Sequence, residues 1–293
     1  MKCKFCGSDS EVIYRGPIKT GLLSGYTEKE YPVYQCAQCG VIWNEGYKDL
    51  KDNYYESGEY RESIDGNSEI DSYREKYDSQ VLWHLELTGT DIFRNKNVCD
   101  IGCGGGSFLD FVNTPAKSII AIEPNQQFHS GLREQGYSVY SYTSDALKDW
   151  KEKINVVTSF DAIEHVYEPQ SFVDDVYDLL ENGGKCIIGT PTDYPVLREM
   201  LGDEFNKFIF QVQHPWVFSE KCLKNMFEKA GFTKVDIVAS QKYGLGNLVA
   251  WLYERKPRGD IKYPFISPDI DAAYKINMAK NGYAEYLTVY AEK

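Results

Sequence analysis

The chain lacks any long apolar run and any excess of basic residues. Its 293 residues carry 32 lysines and arginines against 44 aspartates and glutamates, for a formal net charge of −12. No apolar run approaches the roughly 18 residues that a membrane-spanning helix needs, and the N-terminal residues lack the apolar core of a secretory signal peptide. Nucleic-acid binding draws on a basic surface. We therefore expect a cytoplasmic protein with neither a membrane nor a nucleic acid as partner.

Histidine is scarce, whereas cysteine is clustered. The chain has 4 histidines and 8 cysteines, and four of the cysteines form two C-x-x-C-G units, Cys3 with Cys6 and Cys36 with Cys39. A tight turn between such thiolates lets both sulfurs face one ion, and four thiolates complete a tetrahedron around zinc. Two disulfides are the alternative, which a cytoplasmic setting disfavours. The pattern predicts a closed, structural zinc site, with a small β hairpin formed by residues 11–14 and 31–34.

Glycines alternate with other residues after an apolar segment that leads to Asp100. The order D-x-G-x-G-x-G places Gly102, Gly104 and Gly106 directly before an apolar helical pattern. Glycine lets the backbone turn sharply and approach a ligand closely, and the free N–H groups at the start of a helix can bind a carboxylate or phosphate. A dinucleotide fingerprint would have its third glycine where Ser107 stands. The segment therefore predicts a strand–turn–helix unit at a cofactor site of another kind.

From residue 97 onward, predicted strands alternate with predicted helices, which is the signature of a parallel α/β sheet. Seven strands are predicted, at residues 97–101, 118–122, 138–142, 155–160, 185–189, 234–238 and 286–290. We expect helices on both faces of the sheet and the last strand at an edge. The predicted domains are a zinc ribbon (1–45), a linker with an N-terminal helix (46–96), the core (97–241), a lid or substrate insertion (242–285) and the final strand of the core (286–293).

Polar side chains follow the second and fourth predicted strands. Glu123 ends the second strand, where a carboxylate can accept hydrogen bonds from ribose hydroxyls. The fourth strand leads into Asp161, Glu164 and His165. His214 lies in a loop that precedes the helix predicted at residues 220–229. Because imidazole titrates near neutrality, we predict that His165 is a general base. Glu164 would orient its ring or act itself, and His214 is a second candidate.

Four segments, taken in order, resemble the motifs of class I S-adenosylmethionine (SAM)-dependent methyltransferases. They are the D-x-G-x-G-x-G turn, the acidic end of the second strand, the D-x-x-E-H-V-x-x-P segment at 161–169 and the G-G-x-x-x-x-x-x-P segment at 183–191. The resemblance implies a Rossmann-like seven-stranded methyltransferase sheet, SAM as cofactor and in-line methyl transfer. It also implies a cofactor site formed by Asp100, Gly102, Cys103, Gly104, Gly106, Glu123, Pro124 and Asp161.

The combination of a zinc ribbon with this core resembles methyltransferases of nucleotide-sugar and surface-polysaccharide pathways. That resemblance implies a small-molecule acceptor and favours O-methylation of a sugar, a nucleotide-sugar or a polysaccharide precursor. Sugar C-methyltransferases are an alternative, although Ala162 stands where those enzymes have a tyrosine and their C-terminal extra domain is missing. Tyr60 resembles the aromatic residue that such zinc modules place over the acceptor. A zinc-ribbon RNA methyltransferase is the further alternative, which the acidic composition disfavours.

Overall fold

The structure is a computed structural model that describes residues 1–21, 25–66 and 69–293. The strands are β1 Ser10–Gly16, β2 Tyr31–Cys36, β3 Ile42–Asn44, β4 Asn97–Ile101, β5 Ser118–Ile122, β6 Ser138–Tyr140, β7 Ile154–Phe160, β8 Leu180–Pro191, β9 Trp216–Val217, β10 Lys234–Ser240 and β11 Tyr286–Glu292. The helices are α1 Glu59–Asp65, α2 Ile70–Thr88, α3 Ser107–Val112, α4 His129–Glu134, α5 Thr143–Trp150, α6 Pro169–Leu179, α7 Pro195–Leu201, α8 Asp203–Ile209, α9 Glu220–Ala230, α10 Leu245–Glu254 and α11 Pro268–Lys280. Across the described ranges, every helix is too short or too polar to cross a bilayer.

The main sheet has seven strands in the order β10-β11-β8-β7-β4-β5-β6. β4, β5, β6, β7 and β8 are parallel, whereas β11 runs antiparallel to both of its neighbours, β8 and β10. The central strands of the main sheet are apolar and buried on both faces, as expected where helices cover both sides of a sheet. One face packs against α6 and α9, and the other against α2 and α3. The predicted α/β class and the seven strands are confirmed.

The predicted position of the last strand is wrong. β11 does not lie at an edge but is inserted between β8 and β10, with Leu287 opposite both Thr190 and Ala239. Most of its side chains are buried, including Leu287 and Val289. Alternation along a strand reports which side chains face the core, whereas edge position depends on whether both backbone sides find partners. The sequence pattern alone therefore could not place this strand.

A second, four-stranded sheet has the order β1-β2-β3-β9. The predicted hairpin is confirmed, because β1 and β2 pair antiparallel with Val12 opposite Tyr34. The fourth strand, β9, comes from much later in the chain and pairs with β3 through Trp43 and Trp216. The ring of Phe5 also packs edge-on against Trp216, with centroids 5.1 Å apart. The N-terminal cysteine-bearing segment and the core are thus joined by a continuous sheet.

Candidate active site

The turn after β4 depends on three glycines with left-handed backbones. The dihedral φ is +76° at Gly102, +55° at Gly104 and +89° at Gly106, a region that residues with a Cβ rarely adopt. Space is also lacking, because a Cβ on Gly102 would lie 2.7 Å from the Cβ of Ala162 and one on Gly104 would strike the ring of Tyr73. The glycines therefore let the backbone pass close to two neighbouring elements.

Glu123, directly after β5, stabilises this turn through hydrogen bonds. One carboxylate oxygen accepts a hydrogen bond from the Gly104 N–H at 2.8 Å, and the other accepts one from the Asn125 N–H at 2.8 Å. Asn125 in turn caps the following helical turn, since its side chain accepts from the N–H of Gln127. The carboxylate is thereby held at one place between the two strands by backbone donors.

A cleft of about 430 Å³ opens at the carboxyl ends of β4, β5 and β7. Gly102, Glu123, Pro124 and Asp161 line this cleft, as does the ring of Tyr142. Open α/β sheets bind their ligands at this end of the strands. Four of the predicted cofactor residues therefore lie together here, whereas Gly104 and Gly106 shape the turn and do not line the cleft.

Helices α1 and α2 cover this end of the sheet, so the segment predicted as a linker with a helix is part of the site. The Arg61 guanidinium lies over the rings of Tyr60, Tyr73 and Tyr77, with centroid distances of 5.0, 4.8 and 5.4 Å. It also pairs with Asp65 at 3.4 Å. Arg61 lines the cleft, and it places a fixed positive charge there.

A second cavity of about 270 Å³, called the chamber here, adjoins the cleft. The two share five lining residues: Tyr60, Arg61, Gly102, Asp161 and His165. The chamber also takes four further predicted site residues, Asp100, Cys103, Glu164 and His214. Every predicted catalytic residue, namely Tyr60, Glu164, His165 and His214, thus lines the chamber.

His165 lies where the cleft and the chamber meet, and its hydrogen bonds define its tautomer. Its Nδ1 is 2.9 Å from the backbone carbonyl oxygen of Gln213. Because a carbonyl can only accept, Nδ1 carries the proton and Nε2 carries the lone pair. Nε2 faces the hydroxyl of Tyr60 at 3.3 Å, which donates to it. Burial, aided by His214 and Arg61, holds the pKa of His165 well below its usual range, so the imidazole is neutral and Nε2 is unprotonated at neutral pH.

His214 and Glu164 flank His165. The two imidazole rings meet edge to face with centroids 4.4 Å apart, and burial lowers the pKa of His214 to about 4. Glu164 accepts a hydrogen bond from Thr190 at 2.9 Å, and burial together with Asp161 raises its pKa to about 8. One ligand-capable atom of each of Glu164, His165 and His214 lies within 4.8 Å of the others. At neutral pH the chamber therefore presents two neutral imidazoles and a largely protonated carboxyl.

Asp100 is a second buried carboxyl in the chamber. It accepts a hydrogen bond from the Thr158 hydroxyl at 2.6 Å, and burial raises its pKa to about 7. The neighbouring Ser107 hydroxyl is buried in the chamber wall and has no hydrogen-bond partner among the described residues. Buried polar groups are normally paired, so the glycine turn and its helix present unused hydrogen-bonding capacity to a ligand.

Several chamber residues were missed by sequence reasoning. Lys242 comes from the insertion and lies 3.9 Å from Asp161, while Tyr286 belongs to β11. His84 of α2 stacks on Phe160 with centroids 4.2 Å apart and lines the chamber. None of these residues lies in a motif, because the chain brings them together only through the position of β11 and the packing of α2.

The four predicted zinc ligands converge. The sulfurs of Cys3 and Cys39 are 3.7 Å apart, those of Cys6 and Cys36 are 3.4 Å apart, and all four lie within 4.8 Å of one another. Zinc–sulfur bonds of about 2.3 Å in a tetrahedron place sulfurs roughly 3.8 Å apart. All eight cysteines are free thiols. The cluster therefore has the donor type and spacing that zinc requires.

The sheet order, the glycine turn and the cleft define the class as a SAM-dependent methyltransferase of class I. Residues 73–237, more than half of the chain, match the methyltransferase domain family, and the chain belongs to that family. The fold is shared with a SAM-dependent methyltransferase of Archaeoglobus fulgidus, at 18% identity and a TM-score of 0.51 over 75% of this chain and 98% of that one. A SAM-dependent methyltransferase of Thermotoga maritima is similar at 18% identity and a TM-score of 0.50, over 76% and 95%.

Similar sequences carry a more specific description. A ubiquinone biosynthesis O-methyltransferase of Cereibacter sphaeroides strain KD131 is 24% identical over 189 residues, which cover 61% of this chain and 74% of that protein. A protein of the same description from Psychrobacter arcticus is 28% identical over 163 residues, covering 49% and 61%. These alignments leave a large part of this chain unmatched.

Proposed function

We propose that the protein transfers a methyl group from SAM to a hydroxyl oxygen of a small acceptor, a sugar, nucleotide-sugar or polysaccharide precursor. The observation that carries the proposal is His165, which lines both cleft and chamber, with Nδ1 bonded to the Gln213 carbonyl and Nε2 left to accept from a hydroxyl, here that of Tyr60. For the reaction, an acceptor hydroxyl would replace the Tyr60 hydroxyl as the donor to Nε2. O-methyl transfer is also what the relatives' descriptions state of those proteins.

The cleft residues fit the cofactor. Glu123 would accept from the ribose hydroxyls, and Arg61 would bind the methionine carboxylate. In the adjoining chamber, the unpaired Ser107 hydroxyl would gain a partner from a ligand that extends there. Gly102 lines the cleft, and a Cβ there would lie 2.7 Å from the Ala162 Cβ, so glycine is needed to keep the turn in this shape. When bound, SAM supplies a methyl group on a sulfonium, which is already activated for transfer.

The chain's own part is alignment and proton removal. Positioning two reactants side by side supplies much of the acceleration of such a transfer. The acceptor hydroxyl would donate its proton to Nε2 of His165, and the Gln213 carbonyl would hold the opposite N–H of the resulting imidazolium. Aromatic rings and hydroxyls of the chamber, among them Tyr194 and Tyr286, suit the apolar faces and polar edges of a sugar.

A phenolic acceptor is the second candidate, because the similar proteins are described as acting in ubiquinone biosynthesis. The test is a panel of nucleotide-sugars, free sugars and catechols, assayed for S-adenosylhomocysteine release with wild type and His165→Gln. We expect the highest kcat/KM with a sugar acceptor and loss of that activity in the variant. Activity confined to catechols would overturn the sugar proposal while leaving O-methylation intact.

We also propose that Cys3, Cys6, Cys36 and Cys39 hold one structural zinc. Four thiolates close the coordination shell and leave no position for a reacting group. The site lies at the end of the four-stranded sheet that β9 completes, so the ion would stabilise the N-terminal segment against the core. One zinc per chain by elemental analysis is the expected result.

A further inference from the structure

The loop of residues 211–215 joins α8 to β9 and carries two groups that touch His165. The Gln213 carbonyl accepts from Nδ1 of His165, and the His214 ring packs on the His165 ring. The Tyr55 hydroxyl also donates to the Gln213 carbonyl, at 3.2 Å. The position of this loop therefore decides which nitrogen of His165 holds its proton.

The loop is held from outside the methyltransferase core by Asn44, the last residue of β3. The Asn44 side-chain amide donates two hydrogen bonds, to the carbonyl of Gln211 at 3.1 Å and to that of His214 at 3.0 Å. Its backbone N–H donates to the carbonyl of Pro215 at 3.1 Å. Asn44 is only 2% exposed, so water cannot readily replace these donors.

The side-chain oxygen of Asn44 also forms a hydrogen bond, which fixes the orientation of the amide. Its Oδ1 accepts from the backbone N–H of Gly46 at 2.8 Å, and both amide hydrogens are used by the loop. Beyond Asn44, β3 pairs with β9 through Ile42 opposite Val217, which anchors the end of the loop. The four-stranded sheet thus forms hydrogen bonds with both ends of the loop and includes the strand that follows it.

We infer that Asn44 is a positioning residue, which sets the 211–215 loop so that His165 keeps its proton on Nδ1 and its lone pair on Nε2. The inference rests on the proposed role of His165 for its catalytic consequence, but not for the tautomer itself. It assigns the N-terminal sheet a part in the reaction although that sheet contributes no residue to the proton transfer.

The test replaces Asn44 by Asp, which keeps the shape and the acceptor for Gly46 but cannot donate twice. Ser219→Ala is the matched control, because the Ser219 hydroxyl caps α9 and bonds to the Cys39 carbonyl, another contact between the N-terminal segment and the core. That control weakens the same interface without touching residues 211–215.

The first readout is ¹⁵N NMR of the histidine side chains, which is tractable because the chain has 4 histidines. We expect wild type and Ser219→Ala to show His165 protonated on Nδ1 alone. Asn44→Asp should show loss of that signature through exchange between tautomers, with assignment by His165→Gln. An unchanged tautomer in Asn44→Asp would overturn the inference.

The second readout separates this inference from the proposed function. With an active acceptor, kcat of Asn44→Asp should fall by roughly 10²-fold, the scale of a small misplacement in an active site, while the SAM Kd stays within about twofold of wild type. If Asn44→Asp does not fold, Asn44→Ala, which removes both side-chain donors, replaces it, and a wild-type tautomer there again overturns the inference. Full activity of His165→Gln would remove the base role but leave the tautomer result standing.

Discussion

Replacing His165 by Gln tests which group accepts the acceptor's proton. Glutamine has a similar reach and can keep a hydrogen bond to the Gln213 carbonyl, but it cannot take up a proton. A positioned general base contributes about 10²- to 10⁴-fold, which corresponds to roughly 3 to 5 kcal/mol of transition-state stabilisation. We expect kcat to fall by that factor while calorimetry shows the wild-type affinity for SAM, because His165 lies at the margin of the cleft and not at its glycine turn.

The pH–rate profile tells His165 apart from its neighbour Glu164. The pKa of His165 lies well below its usual range, so Nε2 is already unprotonated at neutral pH. Glu164, with a pKa raised to about 8, becomes a carboxylate only above that pH. If His165 is the base, kcat should be flat between neutral pH and pH 8 and fall only in acid.

The opposite profile would refute this reasoning. A rate that climbs about tenfold per pH unit towards pH 8, persists in His165→Gln and disappears in Glu164→Gln would assign the base to Glu164. Rescue of His165→Gly by added imidazole is the positive control, since it restores the base without restoring the side chain. Failure of rescue together with full activity of His165→Gln would remove imidazole chemistry from the mechanism.

Three further predictions follow from the structure. Glu123→Gln should weaken SAM binding by about 10- to 100-fold, the worth of a hydrogen bond to a charged group, measured by calorimetry; unchanged affinity would contradict the ribose role. Cys36→Ser should bring zinc content close to zero and lower the melting temperature, measured by elemental analysis and calorimetry; full zinc retention would count against the four-thiolate site. His214 stays neutral in the folded protein, with a pKa of about 4. As pH falls from 6.5 towards 4, the free energy of unfolding of wild type should therefore fall by up to about 3 kcal/mol relative to that of His214→Asn. If denaturant titrations gave a difference in unfolding free energy that did not change with pH, they would contradict the lowered pKa.

Local sequence signals were sufficient for the glycine turn and its surroundings. Asp100, Gly102 and Glu123 lie within one strand–turn–helix–strand unit, where residue order and position along the chain are closely tied. The two Cys-x-x-Cys pairs could also be recognised from local sequence, because each short turn brings its own two thiols together. In both cases the residues carry a chemistry that needs few distant partners, and sequence reasoning could therefore find them.

The walls of the chamber could not be found in this way. Tyr286 enters because β11 is inserted between β8 and β10, which an alternating pattern does not specify. Lys242 and His84 belong to segments that are distant along the chain and become neighbours only through packing. Asn44 is separated from its loop partners by more than 160 residues. Such contacts are set by topology, and no local spacing reports them.

We propose that the adjoining cleft and chamber bind SAM and a small hydroxyl acceptor for methyl transfer assisted by His165. The most direct measurement is mass-spectrometric analysis of acceptor products after incubation of the zinc-loaded full chain with SAM and a panel of nucleotide-sugars and sugars. We expect a product heavier by one methyl group, attached to oxygen, formed by wild type and reduced at least about 10²-fold in His165→Gln. A methyl group on carbon, or equal product from both proteins, would contradict it.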